Sequence, residues 1–97
     1  MVTFTPLQIL KNVVAKQGCV VVRQGSVQCV ENLNDSESVI TSLIDALPST
    51  WKISVSTMDY MTRATVYDDL GSFVMDIDLQ TKAQKAKIKA DRKAVVA

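Results

Sequence analysis

The chain has 97 residues, 47% of them apolar and 22% charged, with a formal net charge of +1. That is one domain's length at ordinary globular composition, which argues against extensive disorder and against several domains. Its longest apolar runs, such as Cys19–Val22, are far too short to span a bilayer.

The stretch Met1-Val2-Thr3-Phe4-Thr5-Pro6 lacks the basic start and apolar run of a secretory signal, and there are only two cysteines. A reducing, cytoplasmic setting is therefore expected, with no membrane association. The net charge hides a division. Residues 1–79 carry five basic against nine acidic side chains (−4), and residues 80–97 carry six basic side chains against Asp91 alone (+5). The expected organisation is a compact body over residues 1–80 and a basic Ala/Lys-rich tail over residues 81–97.

The first helix begins at Thr5-Pro6-Leu7-Gln8. This places a hydroxyl at the N-cap, proline at the first helical position and glutamine at capping-box spacing, with Phe4 and Ile9 as a hydrophobic staple. Leu7, Leu10, Val13 and Val14 fall on one face, and Gly18 ends the helix. Val20–Val22 and Val27–Val30 then flank Gly25-Ser26, which suits a type II′ hairpin. That turn sets Gln24 against Val27, Arg23 against Gln28, Val22 against Cys29, Val21 against Val30 and Val20 against Glu31. Cys19 and Cys29 fall on opposite sides of the ribbon, so no internal disulfide is expected.

Asn34 with Glu37, or alternatively Asp35, caps a second helix whose expected buried stripe is Val39, Ile40, Leu43, Ile44 and Leu47, with Ser42 and Asp45 towards solvent and Pro48 as the stop. From Trp51 the period becomes two. Ile53, Val55 and Thr57 alternate with Ser54 and Ser56, a bend follows at Asp59-Tyr60, and Thr62–Tyr67 forms another strand. Asp68-Asp69-Leu70-Gly71 is turn chemistry. In the last strand Phe73, Met75, Ile77 and Leu79 face inward while Val74, Asp76, Asp78 and Gln80 face water. In the tail, Thr81 and Gln84 have capping-box spacing. A helix there would place Lys82, Lys85, Lys89 and Arg92 on one stripe and Ala83, Ala86, Ala90 and Ala94 beside it. The segment is short for an isolated helix, so a weak helix or flexible tail is expected. The fold class is α+β, in the order α-β-β-α-β-β-β, with two helices packed on one face of a mainly antiparallel sheet.

Chemistry is sparse. Without histidine the chain lacks the commonest general base and the Ser-His and Cys-His pairs, and its three glycines are isolated rather than gathered in a phosphate loop. Asp68, Asp69, Asp76 and Asp78 are the remaining candidates for a hard cation, but alternating aspartates on an open strand face more often serve solubility and edge protection. No catalytic residue, metal site or cofactor is assigned. The leading expectation is a non-enzymatic module that binds another protein, as a regulator, inhibitor or assembly subunit, with homodimerisation as one form of it. The alternative is a nucleic-acid or anionic-surface accessory factor acting through Lys82, Lys85, Lys87, Lys89, Arg92 and Lys93.

Overall fold

The computed structural model describes residues 5–95, with side chains through Arg92. Helix α1 (Pro6–Ala15) leads into strands β1 (Val21–Gln24) and β2 (Val27–Leu33). Helix α2 (Ser36–Ala46) follows, then β3 (Lys52–Thr57), β4 (Thr62–Tyr67), β5 (Phe73–Thr81) and helix α3 (Lys82–Val95). The strands form one sheet in the order β1-β2-β5-β4-β3. Three of the four pairings are antiparallel and the fourth, β2 with β5, is parallel. The α+β class stands. The sheet is mixed because the chain returns from the meander to pair its last strand with the first hairpin.

Thr5 caps α1 through its hydroxyl, which accepts from the Gln8 N–H at 3.2 Å. The return half of the expected box is absent, because the Gln8 amide donates to Asn12 instead. Phe4 lies outside the described residues. Leu10, Val13 and Val14 are buried as their spacing requires. The helix closes on Gly18 (φ +73°), with the Cys19 N–H on the Val14 carbonyl and the Gly18 N–H on that of Ala15. This is the paired bonding of a Schellman motif, which needs a left-handed residue at Gly18.

The hairpin has the expected register from Val21↔Val30 to Gln24↔Val27. Gly25 has φ +62° and Ser26 does not share it, as a type II′ turn demands. Both thiols are free. Further along β2 the register against β5 steps from Val30↔Leu79 to Leu33↔Thr81, so three residues on β2 answer two on β5. Asn32 takes φ 63° within that step, a conformation asparagine tolerates better than most residues. The bulge reverses the alternation and lets both Val30 and Leu33 face the core, where each is fully buried.

Helix α2 is capped by Asp35, the second of the two candidates, whose carboxylate accepts from the Glu37 and Ser38 N–H groups. Asn34 is drawn off because its N–H, like that of Asp35, donates to Gln17 Oε1. Val39, Leu43 and Leu47 are buried, each contributing about 1.5–3 kcal/mol as a fully buried side chain. Ile40 is half-buried, whereas Ile44, expected in the stripe, is 57% exposed. Ser42, placed towards solvent by its spacing, is half-buried, and Asp45 is exposed.

In β5, Met75, Ile77 and Leu79 face the core, but Phe73 is 56% exposed. A second register shift pairs Val66 with Met75 and Tyr67 with Phe73, so Phe73 follows Tyr67 onto the outer face. Asp76 and Asp78 are half-buried rather than bare to water, each with a partner on β4.

The tail is helical through Val95 and its capping box is complete: the Gln84 N–H donates to Thr81 Oγ1 at 3.1 Å and Gln84 Oε1 accepts from the Thr81 N–H at 3.0 Å. A nine-residue strand and a fourteen-residue helix laid end to end would span about 50 Å, and the long axis of the molecule is 56 Å. Helix α3 therefore prolongs β5 and does not fold back over the acidic sheet.

Candidate functional site

Of the six cations named from the sequence, two pair with the body. Lys85 leans back to Glu31 at 3.5 Å, while Lys87 sits 3.8 Å from Asp59 and 5.9 Å from the Tyr60 ring centroid. Lys82, Lys89 and Arg92 stay exposed, and the side chain of Lys93 lies outside the described residues. The side of α3 that meets the body carries Gln84, Lys85, Ile88 and Asp91, which are half-buried. Gln84 donates to the Met58 carbonyl and Asp91 accepts from the Tyr60 hydroxyl. The bond to Asp91 raises the Tyr60 phenol above its ordinary value, with desolvation and the nearby carboxylate charges adding to it.

The four aspartates are not gathered. Asp78 forms a two-pronged bond with Arg63 and Asp76 accepts from Thr65 Oγ1 at 2.7 Å. Asp68 is used inside its own turn, accepting from the Leu70 and Ser72 N–H groups, and Asp69 is exposed. Among the described residues no three His, Cys, Asp or Glu side chains come together as metal ligands would. Cys29 lies beside Asp78 in the register. Burial first, and then Asp78 and Glu31, push its thiol up, while Arg63 opposes them. A raised thiol is a poorer nucleophile at neutral pH. A shallow cavity of about 380 Å³ at the β1 end touches both cysteines, Glu31 and Lys82. Cys19 there is already committed, its Sγ donating to the Asn32 carbonyl at 3.4 Å.

The feature that sequence reasoning passed over lies at the other edge. Helices α1 and α2 cover the inner face towards β1, β2 and β5, and their cover stops short of β3. What remains is a cavity of about 580 Å³ between α2, the sheet and the start of α3, bordered by Glu37 and Ile40 on α2, by Val55, Thr57 and Thr62 on the sheet, and by Gln84 on α3. A smaller hollow of about 60 Å³ lies between Ile44 on α2, Leu47 just past its end, and Trp51 and Ile53 on the chain opposite. Together they trace a groove along β3, flanked by the exposed side chains of Ile44 (57%) and Val55 (45%). At its α2 end Ser36 Oγ is buried and makes no hydrogen bond to the protein.

The groove borders an open backbone edge. The Met58 N–H donates to the Met61 carbonyl at 2.8 Å across the β3–β4 turn. Hydrogen-bonded and non-bonded pairs alternate along an antiparallel ladder. Ser56↔Arg63, Ser54↔Thr65 and Lys52↔Tyr67 are therefore the bonded pairs with β4. Ile53, Val55 and Thr57 then turn their N–H and C=O groups outward from the sheet. β3 lies at the end of the strand order, carries no proline and pairs with β4 without a register shift. Its one charged residue, Lys52, sits at its start. Natural edges are usually interrupted more heavily than this. The signal in the sequence was the width of the α2 stripe, which includes one more apolar residue than a helix on this sheet can bury.

Comparison with protein families, with curated proteins and with solved structures gives no match for this chain. Among the described residues no helix is long and apolar enough to cross a membrane.

Proposed function

We propose that this chain is a non-enzymatic protein-binding module, acting as a regulator, inhibitor or assembly subunit, which docks its partner along the β3 edge and the groove beside α2. The observation that carries this reading is the coincidence of outward backbone groups at Ile53, Val55 and Thr57 with exposed apolar side chains at Val55 and Ile44. Backbone bonds to an added strand supply affinity, and the alternate side chains entering the groove supply selection. The absence of histidine and the dispersed carboxylates favour binding over catalysis. Two free thiols accord with a reducing cytoplasmic setting.

The test uses Val55→Pro, which removes one outward N–H and leaves the ladder to β4 intact. Wild-type bait at moderate salt should retain a stoichiometric partner that Val55→Pro bait loses. Equal retention by both, or no partner for either together with no self-association, would overturn the reading.

A second reading has its own support in Lys82, Lys89 and Arg92, which stay exposed on α3 while Lys85 and Lys87 pair with the body. Through them the protein would bind nucleic acid or another polyanion without sequence preference. Replacing all three by Glu should weaken retention on single-stranded DNA and reduce the slope of log affinity against log salt by about 2. An unchanged slope would remove this reading.

A further inference from the structure

We infer that the occupant of the β3 edge is a second copy of this chain, paired antiparallel about a two-fold axis at Ser54. The inference rests on the protein-binding reading above and names the partner.

The strand is self-complementary. In an antiparallel pair, residues directly opposite share a face, so a two-fold register must place like parity against like. With Ser54 opposite Ser54 of the second copy, Ile53 meets Val55 and Val55 meets Ile53 on the helix side. On the outer side Lys52 meets Ser56, and no like charges face each other. Each apolar residue of the row thereby gains an apolar partner. The neighbouring two-fold register, Val55 on Val55, instead sets Ile53 against Thr57 and is poorer. The outward groups of Ile53 and Val55 bond across the axis, and Ser54 forms the closer, non-bonded pair.

The side chains above the strand fit the same operation. Ile40 borders the cavity that Val55 lines, and Ile44 borders the hollow that Ile53 lines. Adding a strand outside β3 brings a second Ile53–Val55 row under the open flank of α2, where Ile44 is exposed. A two-fold interface buries both copies of each such patch at once. The opposite edge is less suited: β1 has four residues, with Arg23 in the middle of its outer stretch. Helix α3 follows β5, two strands in from β3, and meets this edge only at its far end, where Gln84 donates to the Met58 carbonyl and borders the cavity.

Sedimentation equilibrium from low micromolar to near-millimolar protein should show a species of twice the 10.6 kDa chain mass. Val55→Pro should weaken that association at least tenfold, with far-UV circular dichroism confirming that the fold is kept. Ser54→Cys in a Cys19→Ala, Cys29→Ser background should oxidise to a disulfide-linked dimer, while Ser56→Cys should not. A disulfide needs Cα atoms within about 7 Å, and the two copies of residue 56 stand four residues apart in this register. Ile44→Glu provides a variant that leaves the strand backbone untouched and should also shift the protein to monomer. A monomer at every concentration, a dimer indifferent to both Val55→Pro and Ile44→Glu, or equal cross-linking at residues 54 and 56 would overturn the self-pairing. A monomeric protein whose bait still retains a partner sensitive to Val55→Pro would overturn self-pairing alone. Loss of both signals would overturn the binding reading as well.

Discussion

Arg63 and Asp78 face each other across β4 and β5, with Nε 2.7 Å from Oδ1 and Nη2 3.1 Å from Oδ2. On the other side of Asp78 stands Cys29 of β2, so one carboxylate lies between a guanidinium and a thiol. Asp78 raises the Cys29 pKa and Arg63 lowers it. Asp78→Asn should therefore speed alkylation of Cys29 by iodoacetamide near neutral pH and Arg63→Ala should slow it. Both changes act on the thiolate fraction, which the alkylation rate follows. Mass spectrometry of the modified peptide separates Cys29 from Cys19.

Tyr60 donates to Asp91 only while its phenol is protonated. Its pKa in the folded protein lies above the ordinary 10.0. The contact's contribution is thus fully present below the ordinary value and is lost as pH rises through the folded one. A tyrosinate absorbance titration should place Tyr60 above 10.0, and Asp91→Asn should bring its midpoint back down. The same alkaline step should loosen α3 from the β3–β4 turn.

Leu43 and Ile44 are neighbours in sequence with opposite surroundings, the first fully buried and the second 57% exposed. Leu43→Ala should cost about 3 kcal/mol of unfolding free energy. Ile44→Ala should cost less than about 1 kcal/mol in dilute protein, and any larger effect should appear only as concentration rises. Urea denaturation at two concentrations checks both.

Gly18→Ala places a methyl group in open space, with nothing within 4 Å, but at φ +73°. Its cost is conformational alone, about 1–2 kcal/mol. Gly18→Asn should recover part of that loss in the same denaturation experiment.

Local chemistry was legible in this chain where one residue type dictates one geometry. Thr5-Pro6, Gly18, Gly25-Ser26 and the Thr81/Gln84 box all form where their spacing indicates, and the hairpin register follows from the turn. The long-range facts were less so. Nothing in Val27–Leu33 announces a parallel partner some fifty residues on, since parallel and antiparallel strands share the same alternation. The two bulges were also hidden, and each redirected a residue: Leu33 into the core and Phe73 out of it. At the candidate site, the exposure of Ile44 depends on how far α2 reaches across the sheet. That reach is set by packing against α1, which periodicity within α2 does not encode.

The parallel seam between β2 and β5 has a consequence for how the molecule is made. Val30 must wait for Leu79, and at about 5–20 residues per second of synthesis that interval lasts several seconds. During it the nascent hairpin offers an unpaired inner edge with Val27, Cys29 and Val30 uncovered. The last strand made is the middle of the finished sheet. A chain stalled before Leu79 would carry two unjoined ribbons, and its solubility on the ribosome would depend on whatever shields the first of them.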